Sequence, residues 1–526
     1  MRILKYMVLI FAGATLLPGC QKDLLNTVPN DRISTDIFWK TDNDATLAAN
    51  AIYTYMAETP DHFFGWDCMS DIIFTNPTGP VEASIAQGTF NALNSRIAGD
   101  WSTYYAGIRG ANSFMTHVDE VQTANPALIS RLKGEVRALR AYFYMRLASL
   151  FGDVPLVTTE LTLDESRKVK RTPVDQVWDF VGTELDTAAS LLPAKQTDIG
   201  RITKGAALAI KARAMLYAGR YAASADAAGQ VMAPHTYHLY PTYKTLFSYA
   251  AENNTEDILD IQFLADVYQN NIFQALAPRS VNANSKWVPT KAIVDMYETA
   301  GGKDINDPTS GYDPVNPYAN RDPRLSYSIF VPGDVLPNGK TFNSLPNSTT
   351  GDAVGSSFVV SPTGWNVKKY VNKEDLAKPN DCGINIILIR YAEVLLTYAE
   401  AKIEANDIDQ SVYDAIDSVR ARSDVNMPLI PTGLTQDSLR SIVRHERTVE
   451  LAFEGLRYFD IRRWKIADKV MPGNVYGLTY KDTDGSIQTV VVPGWTQSWD
   501  DRNYLWPVPQ KEIDLNKNLT QNQGWD

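Results

Sequence analysis

The sequence predicts a mainly α-helical protein, built of helix pairs and interrupted by a long irregular, loop-rich region. Three observations carry this. Apolar residues recur at helical spacing wherever the chain is regular. Small residues gather on two of the helix pairs. Two long stretches rich in Pro, Gly, Asn, Asp and aromatics break the periodicity.

In chain order, Arg2 and Lys5 precede an apolar run over 6–17, too short to span a bilayer but suited to a signal-peptide core. The run stops at Leu17, Pro18, Gly19 and Cys20, which resembles a bacterial lipobox, with Pro18 where a small or aliphatic residue is usual. On that reading 1–19 is a lipoprotein signal peptide and Cys20 is the lipidated first residue of the mature chain. The other reading is an ordinary signal peptide with an incidental cysteine. Each buried methylene contributes about 0.8 kcal/mol, so one acyl chain anchors marginally and several anchor permanently. No other stretch is apolar for long enough to span a membrane.

The stretch 59–99 shows no sustained period. Over 128–150 the residues Leu128, Leu132, Val136, Leu139, Phe143, Leu147 and Leu150 form one helical stripe, which Gly152 and Pro155 should end. A second helix is expected over 174–192, stopped by Pro193. Alanine-rich helices over 203–218 and 221–232 make a hairpin turning at Gly219 and Arg220, where Ala206, Ala209 and Ala212 allow close packing; with Tyr221 and Ala225 it looks like a tetratricopeptide unit. Residues 234–383 are again irregular, with short strands expected near 258–264 and 358–361. A last helix pair is expected over 388–405 and 412–422. The chain thus divides into a helical part with tetratricopeptide-like hairpins, 20–233, and a part over 234–526 that is loop-rich to 383 and helical over 384–470. Together they are expected to form one structural unit. Long loops in such a protein usually carry function, and their aromatic content argues against disorder.

Net charge is −11, with no local Lys/Arg cluster. That argues against nucleic acid, whose binding replaces counterions with a basic stripe, and against docking on anionic lipid by charge. After Cys20 only Cys68 and Cys382 remain; they could form a disulfide, but their separation establishes none, and without a CxxC pair neither a zinc site nor a redox motif is expected. His235 and His238 have a metal-like spacing, but Pro234 precedes them and a loop explains them; no metal and no cofactor is expected. His445 beside Glu446 makes no HExxH motif, and there is no phosphate loop and no GxSxG elbow. The one tempting catalytic cluster is Glu446, Glu450 and Glu454. A helical wheel puts Glu446 and Glu450 within an apolar face, as a glycosidase pair might be. Nearby arginines (Arg444, Arg447, Arg457, Arg462 and Arg463, with Arg390 and Arg420 elsewhere) favour a buried ion-pair network instead, so no catalytic residue is expected.

Motifs in order along the chain then resemble the SusD/RagB family of outer-membrane nutrient-binding lipoproteins. After the lipobox come Trp101, Tyr104, Ile108 and Asn112; the run from Gly134 through Arg140 to Tyr142, closing on Phe151, Gly152, Asp153, Val154 and Pro155; Gly200 and Arg201 with Lys204 and Gly205; Asp322, Pro323 and Arg324; Lys369 and Tyr370; Arg390 to Leu396; Glu446 and Arg447 with Glu450 to Gly455; Asp460 with Arg463 and Trp464; and Trp506 to Pro509. The closing run from Gln521 to Trp525 departs from the family at Gln523 and Trp525, where Pro and Tyr are usual. The resemblance implies a helical fold with an irregular ligand-binding second half, lipid anchoring on the extracellular face of the outer membrane, and a TonB-dependent SusC-like barrel as partner. It implies a captured glycan, or in some members a peptide, and no chemistry.

Sugar binding needs flat aromatics for the C–H face of the ring and fixed polar groups for its hydroxyls. Phe64, Trp66 and Asp67 with Asp71 and Asn76 offer these in the first irregular stretch. Asn282, Asn284, Lys286 and Trp287 offer them in the second, with Tyr268 nearby in sequence. The expected platform pairs Trp66 with Trp287. Trp365, Trp495 and Trp499 stand in reserve. Each of these aromatics has an alternative reading as filler of a small loop core. The rival functions are peptide capture by the same architecture, a surface glycosidase using Glu446 and Glu450, and a repeat scaffold for protein partners.

Overall fold

A computed structural model describes residues 38–56, 59–76 and 81–525, so the expected signal peptide and Cys20 lie outside the described residues. Its frame is a stack of helices. They are α1 (Asp42–Tyr53), α2 (Pro60–Cys68), α3 (Ser95–His117), α4 (Pro126–Phe151), α5 (Val174–Leu191), α6 (Lys204–Tyr217), α7 (Tyr221–Met232), α8 (Tyr391–Glu404), α9 (Gln410–Arg420), α10 (Gln436–Glu450) and α11 (Arg457–Arg463). Helix α4 begins with Pro126 at its first turn, where the missing N–H costs nothing, and ends at Gly152, whose φ of 71° few other residues adopt. It packs on α3 and α5; α5 packs on α6, α6 on α7, α7 on α8, and α8 on α9 and α10. The contact of α7 with α8 crosses the 158 or so residues of irregular chain between them, so the two helical regions form one continuous stack. On α6 the alanines 206, 207, 209, 212 and 214 are buried, and Arg213 reaches the α8 carboxylate of Glu393 at 2.5 Å, fixing the register across that crossing.

Strands are short and pair in twos, all antiparallel: β1 (Ile73–Thr75) with β3 (Trp287–Pro289), β2 (Asp257–Ile261) with β6 (Ile386–Arg390), β4 (Ile329–Phe330) with β5 (Asn366–Val367), and β7 (Gly473–Lys481) with β8 (Ile487–Gln497). Three of these pairings join segments distant in sequence, so they clamp the irregular regions to the frame. The strand expected near 258–264 is β2. The one expected near 358–361 is a turn. Residues 388–390, expected to open a helix, finish β6 instead, because a short apolar run satisfies strand and helix alike until its pairing partner is known. Residues 60–68, expected as loop, form α2: Thr59 caps the helix with its hydroxyl and Pro60 opens it.

The main core runs from Trp39 to Leu519 without a break. A second cluster sits between α8, α9 and α10, and a third joins Phe74 and Val288 to Met471, Val475, Val492 and Trp495 of the β7–β8 region. The chain end is tied back to α4. Buried Trp506 donates its indole N–H to Tyr458 Oη at 2.7 Å, and the Asn522 amide donates to the carbonyls of Phe151 at 2.8 Å and Trp506 at 2.7 Å. Cys68 and Cys382 are buried free thiols.

Candidate ligand-binding face

Most of the residues expected to hold ligand are interior. Trp66 on α2 is 0% exposed; it stacks on Trp506 at 5.9 Å between ring centres and lies against Phe459 at 4.9 Å, with the Arg96 guanidinium 4.3 Å from its ring centre. Trp287 on β3 is also buried. One face stacks on Phe64 at 5.3 Å, and the Lys286 ammonium covers the ring at 4.6 Å while it pairs with Asp61 at 2.6 Å. The expected platform of Trp66 and Trp287 is therefore corrected: α2 turns both Phe64 and Trp66 inward, where aromatic area is worth most as core. Trp365 and Trp495 are buried too.

Asp67 and Asp71 are interior for a different reason. Asp67 accepts the backbone N–H groups of Gly455 at 2.9 Å and Arg457 at 3.1 Å, and Asp71 takes both the Nε and Nη2 of Arg457 at 2.8 Å. They bolt α2 to the turn before α11. Burial pushes Asp67 up to about 7, against the opposing pull of those two N–H groups.

The carboxylate cluster of Glu446 and Glu450 on α10 and Glu454 just beyond its end is buried and arginine-bound, as expected. Glu446 meets Arg324 at 2.5 Å and Arg420 at 2.7 Å; Glu450 meets Arg390 at 2.7 Å, Arg324 at 2.9 Å and Arg422 at 3.1 Å; Glu454 meets Arg390 at 2.7 Å and Lys369 at 2.8 Å. With Asp322 and Glu256, which pair with Arg324 and Arg390, acids and bases balance. Burial raises the glutamates, but the surrounding guanidinium groups outweigh it and hold all three below their ordinary range. Carboxylates so held, with no route to solvent, neither donate nor accept a proton at a sugar bond. Arg324 and Arg422 were not among the partners expected from sequence, because they arrive from the irregular region and from beyond the end of α9.

What remains at the surface is a layer of two loops. Asn282, with φ of 62°, ends a short turn of helix, Arg279–Val281, in the left-handed conformation that asparagine tolerates. From there the backbone is pinned to the helix Ile272–Leu276: Asn284 N donates to Gln274 O at 2.9 Å and Lys286 N to Ala275 O at 2.6 Å. The side chains of Asn282 and Asn284 are left exposed. The second loop is held beside the first. Ser280 N donates to Asp352 Oδ1 at 2.8 Å, and the Asn76 amide donates to Phe358 O at 3.2 Å and Val360 O at 2.8 Å, while Asn76 N takes Lys286 O at 2.7 Å. Phe358 is carried on this clamp with its ring 79% exposed. Sequence reasoning passed over it as a strand residue; the signal available was an aromatic isolated among Ser and Gly.

Tyr268 lies at another place. It closes a tight turn with Leu264, stacks on Phe263 at 5.1 Å, stays 52% exposed, and borders a cavity of about 470 Å³ with Tyr53, Arg201 and Gln262. Among the described residues no hydrogen bond or ring contact joins it to Asn282, Asn284 or Phe358.

The chain matches the SusD family over residues 228–525, and a family described as starch-binding, associating with the outer membrane, over 73–216. It is similar to the SusD-like protein P2 of Formosa agariphila, 26% identical over 537 residues that cover 98% of this chain and 99% of that one. A SusD-like carbohydrate-binding protein from Bacteroides fragilis superposes with a TM-score of 0.85 at 30% identity, over 92% of this chain and 100% of that one. A laminarin-binding SusD-like protein shares the fold, with a TM-score of 0.71 at 21% identity over 92% of this chain and 100% of that one.

Proposed function

This chain belongs to the SusD family, and from that premise we propose that it is a surface lipoprotein that captures an oligo- or polysaccharide and hands it to a SusC-like TonB-dependent barrel, breaking no bond. The capture surface is the two-loop layer. Phe358 supplies a flat apolar face, Asn282 and Asn284 supply amides for hydroxyls, and the Asn76 clamp holds the loops in place before ligand arrives. Tyr268 is a separate, secondary contact. The observation that carries the reading is the exposed Phe358 on a hydrogen-bonded loop held beside the loop that exposes Asn282 and Asn284, so an apolar ring and amide groups stand on neighbouring clamped segments. The carbohydrate-binding relative from Bacteroides fragilis and the laminarin-binding protein support a sugar as the ligand. Anchoring through Cys20 and residence on the extracellular face follow the family's association with the outer membrane.

The test is binding of the purified protein to a polysaccharide panel, alongside Phe358→Ala and Asn284→Ala. Removing the stacking ring should weaken the bound glycan about tenfold without shifting the unfolding midpoint. Silence across the panel together with binding of peptides would replace the glycan with a peptide, and hydrolysis of any panel member would sink the non-catalytic reading.

A further inference from the structure

A second concave site lies in the helical frame, lined by residues that the two-loop layer does not use. It is a cavity of about 590 Å³ between the ends of α4 and α6, the start of α5, α11 and the chain's last segment, bordered by Arg171, Trp178, Tyr217, Arg462, Lys465 and Tyr504. That volume lies within the range of about 300–1,000 Å³ usual for small-molecule sites.

Its charges are unusual for so acidic a chain. Arg462 is 5% exposed, yet its hydrogen bonds are Nη2 to the carbonyls of Leu150 at 3.2 Å and Tyr504 at 2.6 Å, and its Nε has no partner among the described residues. Arg171 likewise donates to uncharged acceptors: the carbonyls of Asp153 at 2.7 Å, Thr520 at 3.0 Å and Phe151 at 3.3 Å, and the Asn522 side chain. The Lys465 ammonium lies 4.0 Å from the Tyr504 ring centre and forms no ion pair with a described residue. Many buried guanidinium groups meet carboxylates, as Arg463 on the same wall meets Glu400 at 2.6 Å and Asp460 at 2.8 Å; Arg462 and Arg171, like Arg321 elsewhere, are held by uncharged oxygens instead. Burial lowers Arg462, Arg171 and Lys465 below their ordinary values, and the charge of Arg462 lowers Lys465 further, so these two cations repel. The lining carboxylate, Asp153, is engaged at Oδ1 by Val174 N at 2.8 Å; of the acids just outside, Asp468 takes the Tyr504 hydroxyl at 2.7 Å, and Asp501 only partly offsets the charge on Lys465. The buried Tyr217 hydroxyl has no hydrogen-bond partner among the described residues either.

We propose that this cavity is an anion-binding site, taking a carboxylate or sulfate group between Arg462 and Lys465 and packing the body of the ligand on Trp178, Tyr217 and Tyr504. An anion there balances the charges of Arg462 and Lys465 and relieves their repulsion, while the aromatic walls accept the face of a ring. The group arrives as a free oxyanion or on an acidic sugar. The site is separate from the two-loop layer, so it stands or falls independently of glycan capture there.

Calorimetric titration of the full chain with glucuronate, glucose and sulfate at fixed ionic strength tests it. Saturable binding of glucuronate or sulfate is expected, with glucose silent. Lys465→Gln should weaken it about tenfold, and this variant loses no hydrogen bond within the fold; Lys195→Gln, a distant surface charge, should leave it unchanged. Arg462→Gln should weaken it further, its folding checked by thermal unfolding. Equal affinity for sulfate and glucuronate identifies a bare oxyanion as the ligand, and preference for glucuronate an acidic sugar. Silence with both anions, or binding indifferent to Lys465→Gln, overturns the proposal.

Discussion

Asp67 is a fully buried carboxyl group with two good donors. Burial lifts it from its ordinary 3.8 to about 7, so the folded protein keeps a proton there that the unfolded chain has released. A raised carboxyl subtracts stability as pH climbs from about 4, and the loss is complete above about 7. Asp67→Asn removes this titration. Its stability relative to the parent should therefore improve between pH 5 and pH 8 in urea unfolding, and a difference that stays constant would mean Asp67 is ionised throughout. At Trp66 the outcome is simpler: Trp66→Ala should cost about 3–5 kcal/mol by emptying a core site, whereas Phe358→Ala should change stability by less than about 0.5 kcal/mol. That contrast also marks where the sequence stopped being informative about the site. Aromatics beside acids and amides look the same whether they line a sugar platform or fill a core, and what separates Trp66 from Phe358 is burial by segments hundreds of residues away. Asn282 and Asn284 were legible because asparagine in a turn keeps its side chain out. Phe358 was legible only as an oddity.

At the scale of elements, α10 concentrates the electrostatics. Its Glu446 and Glu450, with Glu454 just beyond its end, sit below their ordinary 4.5 because the basic groups around them outweigh burial, so their contribution is present above about pH 4.5 and is lost as pH falls below it. Near-ultraviolet circular dichroism should report loss of tertiary packing in that acid range. Glu450→Gln leaves Arg390 and Arg422 short of a charged acceptor and should cost about 3–5 kcal/mol at pH 7, while shallowing the acid transition. Elements with a long period and a clear stop, α4 and α5 above all, were readable from spacing alone. Two kinds were not. Helix α2 is one face of a crowded core, so nearly every residue is buried and no stripe stands out. In β7 and β8 the burial pattern is irregular, because register shifts near Asn474 and Tyr476 break the alternation that marks a strand.

For the whole molecule, the question is whether the helical part to residue 233 is a unit that the rest merely extends. The packing says otherwise. Helix α7 buries its face on α8, Arg213 of α6 is paired with Glu393, the end of α4 is capped by Asn522, and Trp66 lies between Phe459 and Trp506. A fragment ending at 233 would expose the apolar faces of α4, α6 and α7 at once and leave Arg213 buried without its acid. Such a surface far exceeds what a monomer tolerates. We therefore expect residues 38–233 expressed alone to aggregate or to lack a near-ultraviolet spectrum, and addition of 234–526 to restore soluble, folded protein by reassembling the same core. Size-exclusion chromatography and circular dichroism of the separate and mixed fragments decide it. A monomeric 38–233 with a cooperative melt of its own would show that the helix stack is stabilised locally and that the loop-rich half is an attachment.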